Sequence, residues 1–151
     1  MIILGLDPGI ARTGYGIVDT SQKNQFISCG CITTPSTDTL ENRLASIASD
    51  LTQIIREHKP VAAVVEQIFF GTNVKTAITT AHIRGVLLYV LQIHNIAIQT
   101  LTPLQIKSRL TGYGSASKEQ MQRAVQQQLR LTDIPRPDDA ADALAAALCA
   151  T

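Results

Sequence analysis

Two short apolar runs in this chain each close on one acid. Residues 2–6 (IILGL) lead into Asp7, and residues 61–65 (VAAVV) lead into Glu66. A run this short and this apolar suits a buried strand better than a helix. In an open α/β sheet, functional groups collect at the carboxyl ends of the strands, and Asp7 and Glu66 stand at those ends. Asp7 is followed directly by Pro8-Gly9, which turns the chain.

The remaining segments supply the rest of a sheet and its covering layers. Residues 13–19 and 25–33 read as two more strands joined by a polar turn around 21–24. Residues 39–58 predict a helix, because Leu40, Leu44, Ile47, Leu51, Ile54 and Ile55 recur at helical spacing on one face. Asp38, with Glu41 three residues on, is a candidate cap for it, and Lys59-Pro60 stops it. Residues 73–94 predict a long helix and 96–101 a fifth strand. Thr102-Pro103 is an N-cap followed by a first-turn proline, opening a short helix that runs through Leu110 and ends at Gly112. Ser117 and Gln120 form a capping box for a helix to about residue 129. Pro135 and Pro137 precede an alanine-rich helix over 138–149. Meandering strands first and crossover units afterwards imply an α/β fold, a mixed five-stranded sheet flanked by helices. The length of 151 residues fits one domain, and no repeat or linker interrupts it.

Apolar residues make up 45% and charged residues 17%, which excludes a disordered tail. No apolar run reaches the roughly 18 residues of a membrane span. The start lacks the basic residues and long apolar stretch of a signal peptide, so the expected location is the cytoplasm. Cys29, Cys31 and Cys149 are an odd set with no second ligand pair to complete a zinc site. They read as reduced thiols packed like small apolar residues.

The net charge of +1 stands against a nucleic-acid role, but its distribution softens that objection. Between residues 103 and 136 the basic residues are Lys107, Arg109, Lys118, Arg123, Arg130 and Arg136, against the acids Glu119 and Asp133. Acids concentrated at a chemical centre leave other surface free to be basic.

Two further acids, Asp139 and Asp142, lie three apart at the start of the last helix and share a face. Taken singly, these acids and Asp138 could serve only the helix dipole, and Asp7 could serve only its turn. Taken together with Glu66, they make a carboxylate set without histidine or cysteine. Such a set suits Mg²⁺ or Mn²⁺. One or two such ions, in the two-ion case about 4 Å apart, activate water for phosphodiester hydrolysis and stabilise the leaving oxygen.

Five ordered segments carry a family resemblance: LGLDPGIARTGYGIV (4–18), VVEQIFFGTN (64–73), RGV (84–86), TGYGSASK (111–118) and DAADALAAA (139–147). They span nearly the whole chain, and it resembles the bacterial RuvC Holliday-junction resolvases. The resemblance implies a ribonuclease-H-like fold and a Mg²⁺-dependent endonuclease that resolves four-way DNA junctions by paired nicks. It places the catalytic, metal-holding carboxylates on Asp7, Glu66, Asp139 and Asp142, with Asp138 beside the motif as a solvent or dipole acid. It places a junction-contacting aromatic on Phe69, and lysines for cleavage or DNA contact on Lys107 and Lys118. Arg12 and Arg84 are further candidates for phosphate contact. It also implies a homodimer working with the branch-migration proteins RuvA and RuvB. A symmetric dimer would present two sites to opposed strands of a junction. Val74, Ala77, Ile78, Ala81, Gly85, Leu88 and Leu91, on the helix over 73–94, are candidate interface residues, with sheet packing as the alternative.

From the residues alone, Phe69 and Phe70 either plug into the core or stack on something else, and Lys118 is either solvated or aimed at phosphate. The chain ends at Thr151, where longer members of that family carry a basic tail, so weaker nonspecific DNA affinity is expected. Three rivals are a related ribonuclease-H-like nuclease family, an ATP-binding domain of the actin and sugar-kinase type, and a non-catalytic junction scaffold. The segment EQIFF and the paired aspartates favour the resolvase over the first. The second needs two such domains, and the presence of all four acids argues against the third.

Overall fold

The computed structural model describes residues 1–21, 23–67 and 74–151, without the side chains of 74–76. Five strands form one sheet: β1 (Ile2–Asp7), β2 (Arg12–Asp19), β3 (Gln25–Thr33), β4 (Ala62–Glu66) and β5 (Ala97–Leu101). Their order is β3-β2-β1-β4-β5. The first three pair antiparallel, whereas β1–β4 and β4–β5 pair parallel. Parallel neighbours need crossovers. These are α1 (Leu40–His58) and α2 (Val74–Ile93); α3 (Pro103–Thr111), α4 (Lys118–Leu129) and α5 (Asp138–Leu148) follow β5. The expected mixed sheet with flanking helices is what forms.

The central strands are apolar throughout because both their faces are covered. Side chains alternate across a strand, so Leu4, Leu6, Ile17, Ala63 and Val65 pack with Ile47, Leu51, Ile83 and Leu87 of α1 and α2. Ile3, Val18 and Val64 face the other way, into a core with Ile106, Val125 and Leu144 of α3, α4 and α5. The same alternation fixes the acids. Asp7 shares the face of Ile3, and Glu66 shares that of Val64, so both point towards the α5 side.

That side is built for close approach. A Cβ on Gly5 would collide with the Ala143 carbonyl, one on Gly14 with the Asp139 carbonyl, and one on Gly16 would come within 2.6 Å of the Leu144 amide. α5 answers with small buried residues, Ala140, Ala143, Ala146 and Ala147 among them. Glycine on the strands and alanine on the helix let α5 lie against β1 and β2 backbone to backbone, which sets the first turn of α5 beside the end of β1.

Several local signals hold. Thr102 and Ser117 each make a full capping box, with Gln105 and Gln120, and Gly112 closes α3 in a left-handed conformation at φ 88°. Lys59 ends α1 in the same region of backbone space. The cap of α1 differs from expectation: Thr39, not Asp38, accepts from the Asn42 amide at 3.4 Å. Asp38 lies one residue too far out, and the Thr39 hydroxyl is short enough to reach the third amide. The three cysteines are free, with Cys149 buried. Among the described residues, no helix is long and apolar enough to cross a membrane.

Candidate active site

Asp7, Glu66 and Asp142 line one cavity of about 250 Å³ with Lys107 and Lys118. The two strand acids arrive there through neighbouring parallel strands, with Leu6 opposite Val65 in the register. Asp142 arrives one turn into α5, Lys107 from α3 and Lys118 from the first residue of α4. Pro103, Ile106, Met121 and Ala145 make the apolar wall.

Burial, with no ion-pair partner among the described residues, raises the affinity of the strand acids for protons. Asp7 is pushed up to about 7, first by desolvation, then by the charges of Asp142 and Asp139. Glu66 is pushed up to about 8, first by desolvation and then by Asp7. The two side chains hydrogen-bond to each other, which raises Glu66 and lowers Asp7. Lys118 and Lys107 oppose the shifts only as distant charges, on Asp7 and Glu66 respectively.

The helix acids are arranged differently. Asp142 is also raised, with burial the largest cause, but Lys118 Nζ lies 3.6 Å from its Oδ2. Asp139 opens on an adjoining cleft formed by residues 8–12 with Thr79 and Thr80. Arg12 Nε approaches Asp139 Oδ2 to 2.9 Å. The pair is close without being aligned, because that buried Oδ2 has no hydrogen-bond partner among the described residues. Asp138 accepts from Lys118 at 3.1 Å, Arg136 at 2.8 Å and Gln122 at 3.1 Å, so it is more than a solvent or dipole acid.

As arranged, no three His, Cys, Asp or Glu side chains among the described residues form a group that could hold a metal ion. Basic side chains sit on the helix acids instead. The donor chemistry nevertheless fits a hard divalent cation. The set offers carboxylate oxygens only. Burial and mutual charge raise the proton affinity of Asp7 and Glu66, and one buried oxygen of Asp139 has no hydrogen-bond partner among the described residues.

Of the other expected site residues, Arg84 donates to Thr100 Oγ1 at 3.0 Å, while its buried Nε has no partner among the described residues. Arg109 donates to the Cys149 carbonyl at 2.9 Å, and Arg123 pairs with Glu119, so part of the basic excess over 103–136 serves the fold. Phe69 and Phe70 lie outside the described residues. The candidate interface residues of α2 divide between two faces: Ala77 and Leu91 are core, while Ile78 is exposed with Tyr89 and Ile93. Reading the sequence missed the glycine–alanine contact and the partners of Asp138. The first had a signal in Gly14-Tyr-Gly16 facing an alanine-rich helix. The second had none, because Lys118 and Asp138 are remote in sequence.

Comparison with known proteins agrees with this geometry. The family model "Crossover junction endodeoxyribonuclease RuvC" matches residues 3–150. The crossover junction endodeoxyribonuclease RuvC of Alkaliphilus oremlandii is 48% identical over 151 residues, covering 99% of this chain and 92% of the relative. That of Natranaerobius thermophilus is 47% identical over 150 residues, covering 99% and 93%. The structure of T. thermophilus RuvC in complex with a Holliday junction substrate superposes with a TM-score of 0.93 at 29% identity, covering 99% of this chain and 92% of the other. The fold is thus ribonuclease-H-like. The chain belongs to the RuvC family of crossover junction endodeoxyribonucleases.

Proposed function

We propose that this protein resolves four-way DNA junctions by paired symmetric nicks, through Mg²⁺-assisted hydrolysis of phosphodiesters at Asp7, Glu66, Asp142 and Asp139. The observation that carries the reading is the single cavity holding Asp7, Glu66, Asp142, Lys107 and Lys118 in a chain of this family. T. thermophilus RuvC, a relative alike over nearly its whole length, is solved with a Holliday junction substrate.

Asp7, Glu66 and Asp142 would hold the cation, with Asp139 as the fourth donor from the adjoining cleft. When bound, one or two Mg²⁺ ions, or Mn²⁺ in their place, supply Lewis-acid activation of water and charge stabilisation at the phosphate. Asp7 and Glu66, both raised by burial and by neighbouring acids, would give up protons more readily once positive charge is supplied. The sheet holds both of them, so their spacing does not depend on loop geometry. Lys107 and Lys118 offset a repulsion that would otherwise keep a phosphodiester out of an acid-lined cavity. Arg12 and Arg84 are the further proposed phosphate contacts, and Phe69, which lies outside the described residues, is the proposed stacking aromatic.

A homodimer is part of the proposal. Ile78, Gly85, Tyr89 and Ile93 lie on one face of α2 at helical spacing and are exposed, a surface suited to a second copy. RuvA and RuvB are the proposed partners in the cell. The test is cleavage of a four-way junction, a linear duplex and an RNA of matched sequence in Mg²⁺. Selective, symmetric nicking of the junction is expected, and equal cutting of all three overturns the reading.

A further inference from the structure

Asp138 lies outside the acid cavity, yet it is the best-anchored carboxylate near it. Lys118 and Gln122 are four residues apart on α4, so they project from one face of that helix. Both reach Asp138, the first residue of α5, but at different oxygens. Gln122 Nε2 donates to Oδ1 at 3.1 Å and Arg136 Nη1 donates to the same oxygen at 2.8 Å. Gln122 is a buried polar side chain, only 8% exposed, so its amide is committed to this contact. With Oδ1 held by two donors the carboxylate cannot rotate freely. Its Oδ2 then faces Lys118 Nζ at 3.1 Å.

The same ammonium lies 3.6 Å from Asp142 Oδ2, so it is shared between a fixed acid outside the cavity and a proposed metal-holding acid inside it. The consequence is a competition. A lysine with Asp142 as its sole carboxylate would occupy the oxygen a cation needs. A lysine with a second, pre-oriented carboxylate can stay at the cavity mouth while Asp142 turns to another charge. We infer that Asp138 is a positioning residue: gripped by Gln122 and Arg136, it holds Lys118 at the rim of the cavity and so keeps Asp142 open to a divalent cation. This rests on the reading of Asp142 as a cation ligand.

The test is Mn²⁺ binding to the full-length, DNA-free protein, followed by electron paramagnetic resonance, in five forms: wild type, Asp142→Asn, Asp138→Asn, Lys118→Met and the Asp138→Asn/Lys118→Met pair. Circular dichroism confirms that each is folded. The expected result is that Asp138→Asn weakens Mn²⁺ binding about fivefold, the scale of one exposed ion pair. The loss should vanish in the Lys118→Met background, where no ammonium can fall onto Asp142. A loss that persists with Lys118→Met would mean that Asp138 acts merely as a nearby negative charge, and it would overturn the inference while leaving the cation reading intact. An unchanged affinity in Asp138→Asn would overturn it equally. If wild type and Asp142→Asn bind Mn²⁺ alike, the reading of Asp142 fails and the inference goes with it.

Discussion

The two acids on strands and the acids on α5 solve opposite problems. Asp7 and Glu66 are placed by backbone hydrogen bonding between β1 and β4, and their buried side chains hydrogen-bond to each other. Asp138, Asp139 and Asp142 are placed by packing of α5 on glycines, and each has a basic side chain within 4 Å. The strand pair is rigid and, among the described residues, has no ion-pair partner, only the more distant charges of Lys118 and Lys107. The helix set is compensated, and its position depends on how closely α5 can approach. The strand acids therefore define where positive charge is needed. On the proposed reading, the helix acids, with Arg12 and Lys118 on them, govern how readily it is admitted.

The sharpest break in this comparison is a change at the strand end. Asp7→Asn should lower junction cleavage by a factor of about 1000 or more, since it removes one proposed ligand outright. Junction affinity in a gel-shift titration should hold or rise, because one charge repelling phosphate is gone. Cleavage by that variant in Mg²⁺ near the wild-type rate would remove Asp7 from the mechanism. Next in size is the packing that sets the helix acids. Gly5→Ala inserts a methyl against the Ala143 carbonyl and should destabilise the fold by about 3 kcal/mol in urea unfolding, the upper range for overpacking.

A third effect concerns pH and separates the two regions directly. In the unfolded chain, Asp7 and Glu66 lose protons near their ordinary values of 3.8 and 4.5; in the fold they do so near 7 and 8. The metal-free fold is thus favoured most below about pH 4 and loses that advantage as pH climbs to 8. Glu66→Gln should flatten the decline and raise the melting temperature at pH 8 by about 5 °C. A decline equally steep in that variant would mean that the pair does not carry it. The smallest effect is expected at Arg12, which is more than half exposed. Arg12→Ala should change cleavage by less than about tenfold. A loss as large as that of Asp7→Asn would make the Asp139 contact part of the chemistry.

The sequence carried the sheet because its strands are sandwiched, and sandwiched strands read as short, uninterrupted apolar runs. It carried the strand acids for the same reason, since a strand's period of two tells which face Asp7 and Glu66 must share. The start of α1 was misread at Asp38 because neighbouring Thr39 satisfies the same cap requirement. Asp139 and Asp142 were visible as two acids on one helix face, but not their division between two clefts. That division depends on Arg12 reaching from β2 and Lys118 from α4, and no local pattern encodes either reach. The face of α2 was hard to read because its apolar and polar residues are not sorted onto separate faces, so periodicity could not tell exposure from burial residue by residue.

The central claim is that the hydrogen-bonded acid pair at the strand ends, joined by Asp142, is a cation site. Anomalous diffraction from crystals of the protein grown with Mn²⁺ tests it most directly. The account predicts an anomalous peak in the cavity within bonding distance of Asp7, Glu66 and Asp142, with Lys118 still on Asp138. Mn²⁺ bound elsewhere, with the Asp7–Glu66 hydrogen bond intact at a metal concentration that supports cleavage, would contradict it.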